Sequence, residues 1–174
     1  AHVSLSQKAD VMLIAPASAN IIGKMANGIA DDMLSTMCLA ATCPIIVSPA
    51  MNTHMFRNRI VKDNLNKLKD YGMTIIEPAV GRLACADVGE GKLPDEQVLL
   101  SYIYRQIRHD KDLTGKKVVV TAGPTVEKID PVRFITNHST GKMGYAIATN
   151  AMERGAMVTL ISGPVNIEPP MFVN

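Results

Sequence analysis

Tryptophan is absent from the 174 residues, and aromatic residues make up only 4% of them. The formal net charge is just +2. No basic tract interleaved with aromatics appears, so the composition argues against a nucleic-acid partner. No apolar run approaches the roughly 20 residues of a membrane-spanning helix, and Ala1 to Asp10 does not read as a secretory signal. The cysteines are few and odd in number: Cys38, Cys43 and Cys85. They lack metal-ligand spacing, so no metal site is predicted from them. Free thiols fit a reducing, cytoplasmic setting. Two glycine signatures are also missing, Gly-x-Gly-x-x-Gly and the Walker loop. A nicotinamide dehydrogenase is therefore disfavoured.

Apolar residues make up 47% of the chain, enough for a core, and methionine is abundant at 11 residues. Methionine fills irregular gaps in cores, and no other role is assigned to it. Five short β-branched runs read as strands: 11–15, 44–48, 73–76, 117–121 and 157–161. Each meets a proline within a few residues, at Pro16, Pro49, Pro78, Pro124 and Pro164. Proline ends strands because it cannot donate to the ladder. Open α/β sheets also place ligands beyond the carboxyl ends of their strands. The central such turn is Pro49-Ala50-Met51-Asn52, which delivers an amide side chain.

Between these runs the pattern turns helical. Residues 1–10 form an amphipathic lead-in with His2, Leu5 and Ala9 on one face. At Pro16-Ala17-Ser18-Ala19-Asn20, Ser18 and Asn20 stand where a strand passes into a helix. They suit helix capping first and anion binding second. Helical pieces follow at 21–30 and 31–41, with Asp31 and Asp32 favourable to the second one's dipole. A single helix is predicted from Asn52 to about Asp70 and another from Pro94 to His109. Gly81 to Lys92 reads as a loop able to fold over a ligand, or as a plain surface hairpin. His109 to Gly115 is charged and ends in glycine, the best domain boundary in the chain.

Lys116 to Pro164 reads strand, loop, helix, strand, a βαβ unit. Its long loop carries Gly123-Pro124-Thr125 and Asn137 to Gly144. Small residues at Ser139-Thr140-Gly141 open the helix, and Lys142 adds charge, a combination that suits phosphate.

Taken together, these segments resemble the bifunctional flavoprotein of bacterial coenzyme A biosynthesis, which joins phosphopantothenoylcysteine decarboxylase to phosphopantothenate–cysteine ligase. Pro16 to Asn20 is similar to that family's flavin motif, with Ile21 in place of its final Thr. Pro49 to Phe56 is similar to its substrate motif, with Phe56 for the usual Trp. Leu83-Ala84-Cys85-Ala86-Asp87 is similar to its substrate clamp, with Ala86 where Gly is common. His2 falls where the family keeps an active-site histidine. Gly123 to Thr125 and Asp130 to Gly144 resemble the start of the ligase.

The resemblance implies an α/β fold. A flavodoxin-like, Rossmann-like decarboxylase domain would span 1–109. A linker at 110–115 and the first βαβ part of a Rossmann-like ligase domain at 116–174 would follow. It implies a piece of a longer chain, with a first strand and a flavin-phosphate loop before Ala1 and most of the ligase after Asn174. It implies FMN along Ser18, Ala19, Asn20, Ile21 and Met51. In the implied chemistry His2 is the base at the substrate thiol, Asn52 holds the carboxylate and Cys85 returns a proton. The substrates implied are 4′-phospho-N-pantothenoyl-cysteine for the decarboxylase, and 4′-phosphopantothenate, cysteine, CTP and Mg²⁺ for the ligase. Gly123, Pro124, Thr125, Arg133, Asn137, Ser139, Gly141 and Lys142 would serve the ligase. A homo-oligomer, trimer or higher, is also implied. Two other readings compete: a regulatory, non-catalytic relative, and a peptidyl-cysteine decarboxylase. The presence of His2, Asn52 and Cys85 argues against the first, and the ligase-like segment from Lys116 argues against the second.

Overall fold

The β-branched run at 44–48 needs burial on both faces, and it gets it. In the computed structural model, which describes the backbone of residues 2–82 and 88–174 and the side chains of 5–81 and 89–174, strand β2 (Ile45–Pro49) is buried at every position. Parallel sheets covered on both sides read as such continuous apolar runs. β2 is the middle strand of a parallel sheet, between β1 (Met12–Ala17) and β3 (Thr74–Ile75). The chain forms two compact units, residues 1–107 and 108–174.

In the first unit, α1 (His2–Lys8) precedes β1, and α2 (Ala19–Asn27) and α3 (Met33–Ala40) connect β1 to β2. Ile14, Ala17, Ile22, Met25, Val47, Leu65 and Leu68 form the core. Full burial of a side chain such as Leu68 contributes roughly 1.5–3 kcal/mol. α2 stops at Gly28, which takes the left-handed conformation (φ 68°), where a side chain would strain. α3 starts at Asp32, whose carboxylate accepts from Ser35 N while Ser35 Oγ accepts from Asp32 N. This reciprocal cap satisfies two donors at once.

Two expectations are corrected here, and one alternative is decided. The predicted 52–70 helix is two helices, α4 (Thr53–Arg57) and α5 (Arg59–Asp70). Asn58 breaks them because its side chain accepts from Ile60 N and restarts the helix. Of the two readings of 81–92, the hairpin is the one seen in the described residues, with β4 (Ala79–Arg82) antiparallel to β5 (Val88–Lys92). β1 also runs two residues further than expected, so Pro16 and Ala17 belong to the strand. α6 (Glu96–Ile107) completes this unit.

In the second unit, β6 (Lys117–Ala122) and β9 (Met157–Ser162) pair in parallel over six residues. The crossover helix α7 (Lys142–Glu153) covers one face of the pair through Ala148, Ala151 and Met152. The expected βαβ unit is therefore present. Its loop, read as irregular, contains a second antiparallel hairpin, β7 (Val126–Lys128) with β8 (Phe134–Thr136). All six hairpin residues are exposed, so no burial pattern betrayed them. Residues 108–112 are tied to the end of α7. Arg108 and His109 reach the buried Glu153 carboxylate at 2.9 and 3.3 Å, and Lys111 donates to Glu153 O at 2.6 Å. Cations at a helix C-terminus also complement its dipole.

Candidate functional site

The ends of β1 and β2 meet side by side. Ala50 N donates to Ala17 O at 3.1 Å, and Ala17 pairs with Pro49 in the ladder. Both strand ends carry small residues, Ala17 and Ala50. On the β1 side, exposed Ser18 caps α2, accepting from Ile21 N at 3.4 Å. Asn20 is also exposed, and Ala19 half-buried. Ile21, by contrast, is 6% exposed and belongs to the core, so only its backbone faces this turn.

From the β2 side, Met51 and Asn52 are half-buried. Asn52 caps α4, its Oδ1 accepting from His54 N at 2.8 Å. That bond assigns the acceptor end of the amide to the helix and directs the donor end, Nδ2, the other way. The β4–β5 hairpin docks on this turn. Thr53 Oγ1 donates to Glu90 O at 2.8 Å, Met51 N donates to Gly91 O at 3.0 Å, and Arg57 Nε meets Glu90 Oε2 at 3.1 Å. A Cβ on Gly91 would lie 2.1 Å from Met51 O, and one on Gly89 would lie 2.5 Å from Thr53 Oγ1. Sequence reasoning missed Thr53 and these glycines. Their signal was the Gly-x-Gly alternation in a strand, which marks bulges and close backbone approaches. The structure brings Ser18, Ala19, Asn20, Met51 and Asn52 to the adjacent ends of β1 and β2. Cys85 lies outside the described residues. His2 opens α1, and its side chain lies outside them as well.

Charge and burial shift few groups in this unit. The Lys24 ammonium, then the Ser35 backbone and hydroxyl, hold Asp32 down to about 2. Burial pushes the Cys38 thiol up, as for an inert packed cysteine.

The second unit builds a groove of about 500 Å³ lined by Ala122, Gly123, Ser139, Gly141, Lys142 and Gly144 among others. Gly123 (φ 84°) and Gly141 (φ 77°) both adopt the left-handed conformation, and a Cβ on Gly141 would lie 3.5 Å from Gly123 N. Gly144 packs on the strand: its Cβ would lie 2.5 Å from that of Ala122 and 3.0 Å from Thr121 O. α7 starts at Gly141 with no side-chain cap. Its first N–H groups therefore face the groove without a capping acceptor, a ready anion site. Asn137 Oδ1 accepts from Ser139 N at 2.9 Å, and its Nδ2 reaches Thr125 Oγ1 at 3.5 Å. Pro124 joins them beside Gly123, where its carbonyl would meet a Cβ on Gly163 at 2.2 Å. Pro124, Thr125 and Asn137 adjoin the groove without lining it, and Arg133 is not in the lining either, being paired with Asp130 at 2.6 Å in the hairpin connection. Gly144, which lines the groove, went unrecognised as part of this site, and next to it the buried Tyr145 donates its hydroxyl to Ser162 Oγ at 3.0 Å. Among the described residues no cluster of acidic, His or Cys side chains suits a metal ion.

A parallel sheet with helices between its strands and a candidate site at the strand ends defines a flavodoxin-like α/β protein. The flavoprotein family profile matches residues 1–108, and the chain belongs to that family. The profile for the DNA/pantothenate metabolism flavoprotein C-terminal domain matches residues 113–174. Among curated relatives, the coenzyme A biosynthesis bifunctional protein CoaBC of Bacillus subtilis is 51% identical over 97% of this chain. The CoaBC of Escherichia coli is 44% identical over 99% of it. The chain spans 42% of the length of each. Among solved structures, a cysteine-to-serine mutant of PPC decarboxylase complexed with pantothenoylaminoethenethiol matches with TM-score 0.57 and 39% identity, covering 59% of this chain and 57% of that one. The FMN binding protein AtHal3 matches with TM-score 0.53 and 40% identity, covering 59% and 56%.

Proposed function

We propose that the first unit carries the FMN-dependent decarboxylation of 4′-phospho-N-pantothenoyl-cysteine to 4′-phosphopantetheine, a step of coenzyme A biosynthesis. One observation carries the reading: the Ser18–Asn20 turn and the Met51–Asn52 turn lie at the adjacent ends of β1 and β2. The residues fit a flavin. The turns that leave the two strand ends carry small residues, Ala19 and Ala50, and the exposed Ser18 and Asn20 offer polar contacts. When bound, FMN supplies the two-electron chemistry that lets CO2 leave.

This chain's residues then bind and move protons. Asn52, by resemblance, holds the substrate carboxylate through its amide N–H groups. A neutral donor orients that group without pairing so strongly that its loss is opposed. His2, by resemblance, takes the proton of the substrate thiol; an imidazole titrates near neutrality. Cys85, by resemblance, returns one, since a thiol of pKa about 8.5 is mostly protonated at pH 7. The direct test uses the flavin-loaded full-length protein. The wild type should release CO2 and form 4′-phosphopantetheine. Cys85→Ser should release CO2 but accumulate the enethiol. Absence of CO2 from the wild type would refute the reading.

For the second unit we propose the nucleotide side of CTP-dependent ligation of 4′-phosphopantothenate with cysteine. The uncapped α7 N-terminus beside three glycines supports it. Lys142 adds charge for a triphosphate, and Thr125, Asn137 and Ser139 form one polar rim. Mg²⁺ belongs to the reading through CTP alone; no described residue is assigned to it. We further propose a cytoplasmic homo-oligomer, trimer or higher. Exposed Met33 (58%) and Leu39 (64%) on α3, and Phe134 and Ile135 on the β7–β8 hairpin, support a partner copy. Among the described residues no helix is long and apolar enough to cross a membrane.

A further inference from the structure

We propose that Thr53 is a positioning residue for Asn52, acting through a β-bulge at Gly91. The inference rests on the decarboxylase reading above. Asn52 sits between two residues that are both bonded to β5. Met51 N donates to Gly91 O at 3.0 Å on one side, and Thr53 Oγ1 donates to Glu90 O at 2.8 Å on the other.

The bulge is what makes both bonds possible. Ala79 pairs with Lys92 and Val80 with Glu90, so Gly91 is the extra residue with no partner on β4. A bulged residue is left out of the ladder, and the strand bends there. The Gly91 carbonyl takes the Met51 N–H instead. Only glycine fits, because φ is +127° and a Cβ would lie 2.1 Å from Met51 O. Gly89 leaves the matching room for the Thr53 side chain, and Arg57 holds the Glu90 carboxylate at 3.1 Å.

The cap from Asn52 Oδ1 to His54 N ties the side chain to α4. β5 helps hold α4 and the turn, and among the described residues the Thr53 hydroxyl ties the residue next to Asn52 to β5, one turn before the Arg57–Glu90 pair. Removing the hydroxyl lets the turn shift by fractions of an ångström, and misplacements of about 1 Å already cost on the order of a hundredfold in rate.

The test uses flavin-loaded full-length protein and 4′-phospho-N-pantothenoyl-cysteine. Thr53→Val should lower kcat roughly tenfold with KM and flavin content near wild type, because orientation is lost and binding is kept. Thr53→Ala, which adds no methyl group against the Glu90 carbonyl, should show the same loss. Thr53→Ser should restore kcat. A wild type that turns over while Thr53→Val and Thr53→Ala match it overturns this inference alone. So does a change confined to KM or flavin content. A wild type that releases no CO2 overturns the decarboxylase reading and this inference with it.

Discussion

Four helices of the first unit begin differently from α7, the helix of the second. In the first unit α2, α3, α4 and α5 start at Ser18, Asp32, Asn52 and Asn58, and each side chain accepts from an N–H of its own first turn. In the second, α7 starts at Gly141, which offers no acceptor. A capped start is locally complete, whereas an uncapped start leaves donors for a ligand. Sites at the ends of strands thus arise in two ways here. The first unit presents side chains on a satisfied backbone. The second presents the backbone itself and keeps side chains out. Function in the first should respond to changes of side-chain chemistry, and function in the second to any added atom.

The largest effect should come from Gly144→Ala in the full-length protein. The new Cβ would lie 2.5 Å from the Ala122 Cβ, with strand backbone behind it. Overpacking of this kind costs about 1–3 kcal/mol. CTP-dependent ligation should collapse while the flavin absorbance per chain stays unchanged. Equal loss of flavin would break the separation of the two sites. Next, Asn20→Asp sets a charge beside the flavin turn. Like-charge contacts are costly, so FMN affinity should fall roughly tenfold or more, as read by flavin fluorescence titration, with CTP binding retained.

Smaller and more selective effects divide the groove. Lys142→Ala should raise the CTP requirement roughly fivefold to tenfold through loss of one charge-assisted contact. Asn137→Asp should instead keep pyrophosphate release and trap the activated acyl-cytidylate. Abolished pyrophosphate release in a folded Asn137→Asp protein would merge the two roles. Smallest is the acid limb of stability. Asp32 titrates at about 2 against an ordinary 3.8, chiefly through Lys24. Its contribution is present above about pH 4 and lost as pH falls toward 2, since a depressed folded pKa favours the ionised, folded state. Asp32→Asn should flatten that part of a pH–Tm profile and leave neutral pH kinetics unchanged.

How much of this was legible depended on where the physical signal resides. β2 showed itself as a continuous β-branched run because both its faces are buried. The β6–α7–β9 unit showed itself because strand and helix periods alternate cleanly. The β7–β8 hairpin did not, and the β4–β5 hairpin was only one of two readings. β5 holds two glycines, Gly89 and Gly91, and carries no alternation of apolar and polar side chains. β7 and β8 place apolar side chains where nothing in this unit covers them. The break at Asn58 was hidden because the apolar spacing runs on through Val61, Leu65 and Leu68. At the sites, the polar turn residues were readable one at a time from local chemistry. Thr53 and Gly144 were not, since each acts on an element distant in sequence. Thr53 bonds Glu90 across 37 residues, and Gly144 matters only against β6.

The central claim is that the Ser18–Asn20 and Met51–Asn52 turns form a flavin site. The most direct measurement is the visible absorption spectrum of the purified full-length protein, before and after adding FMN. The account predicts a yellow protein carrying about one FMN per chain. A colourless protein that gains no flavin absorbance on addition of FMN would contradict it.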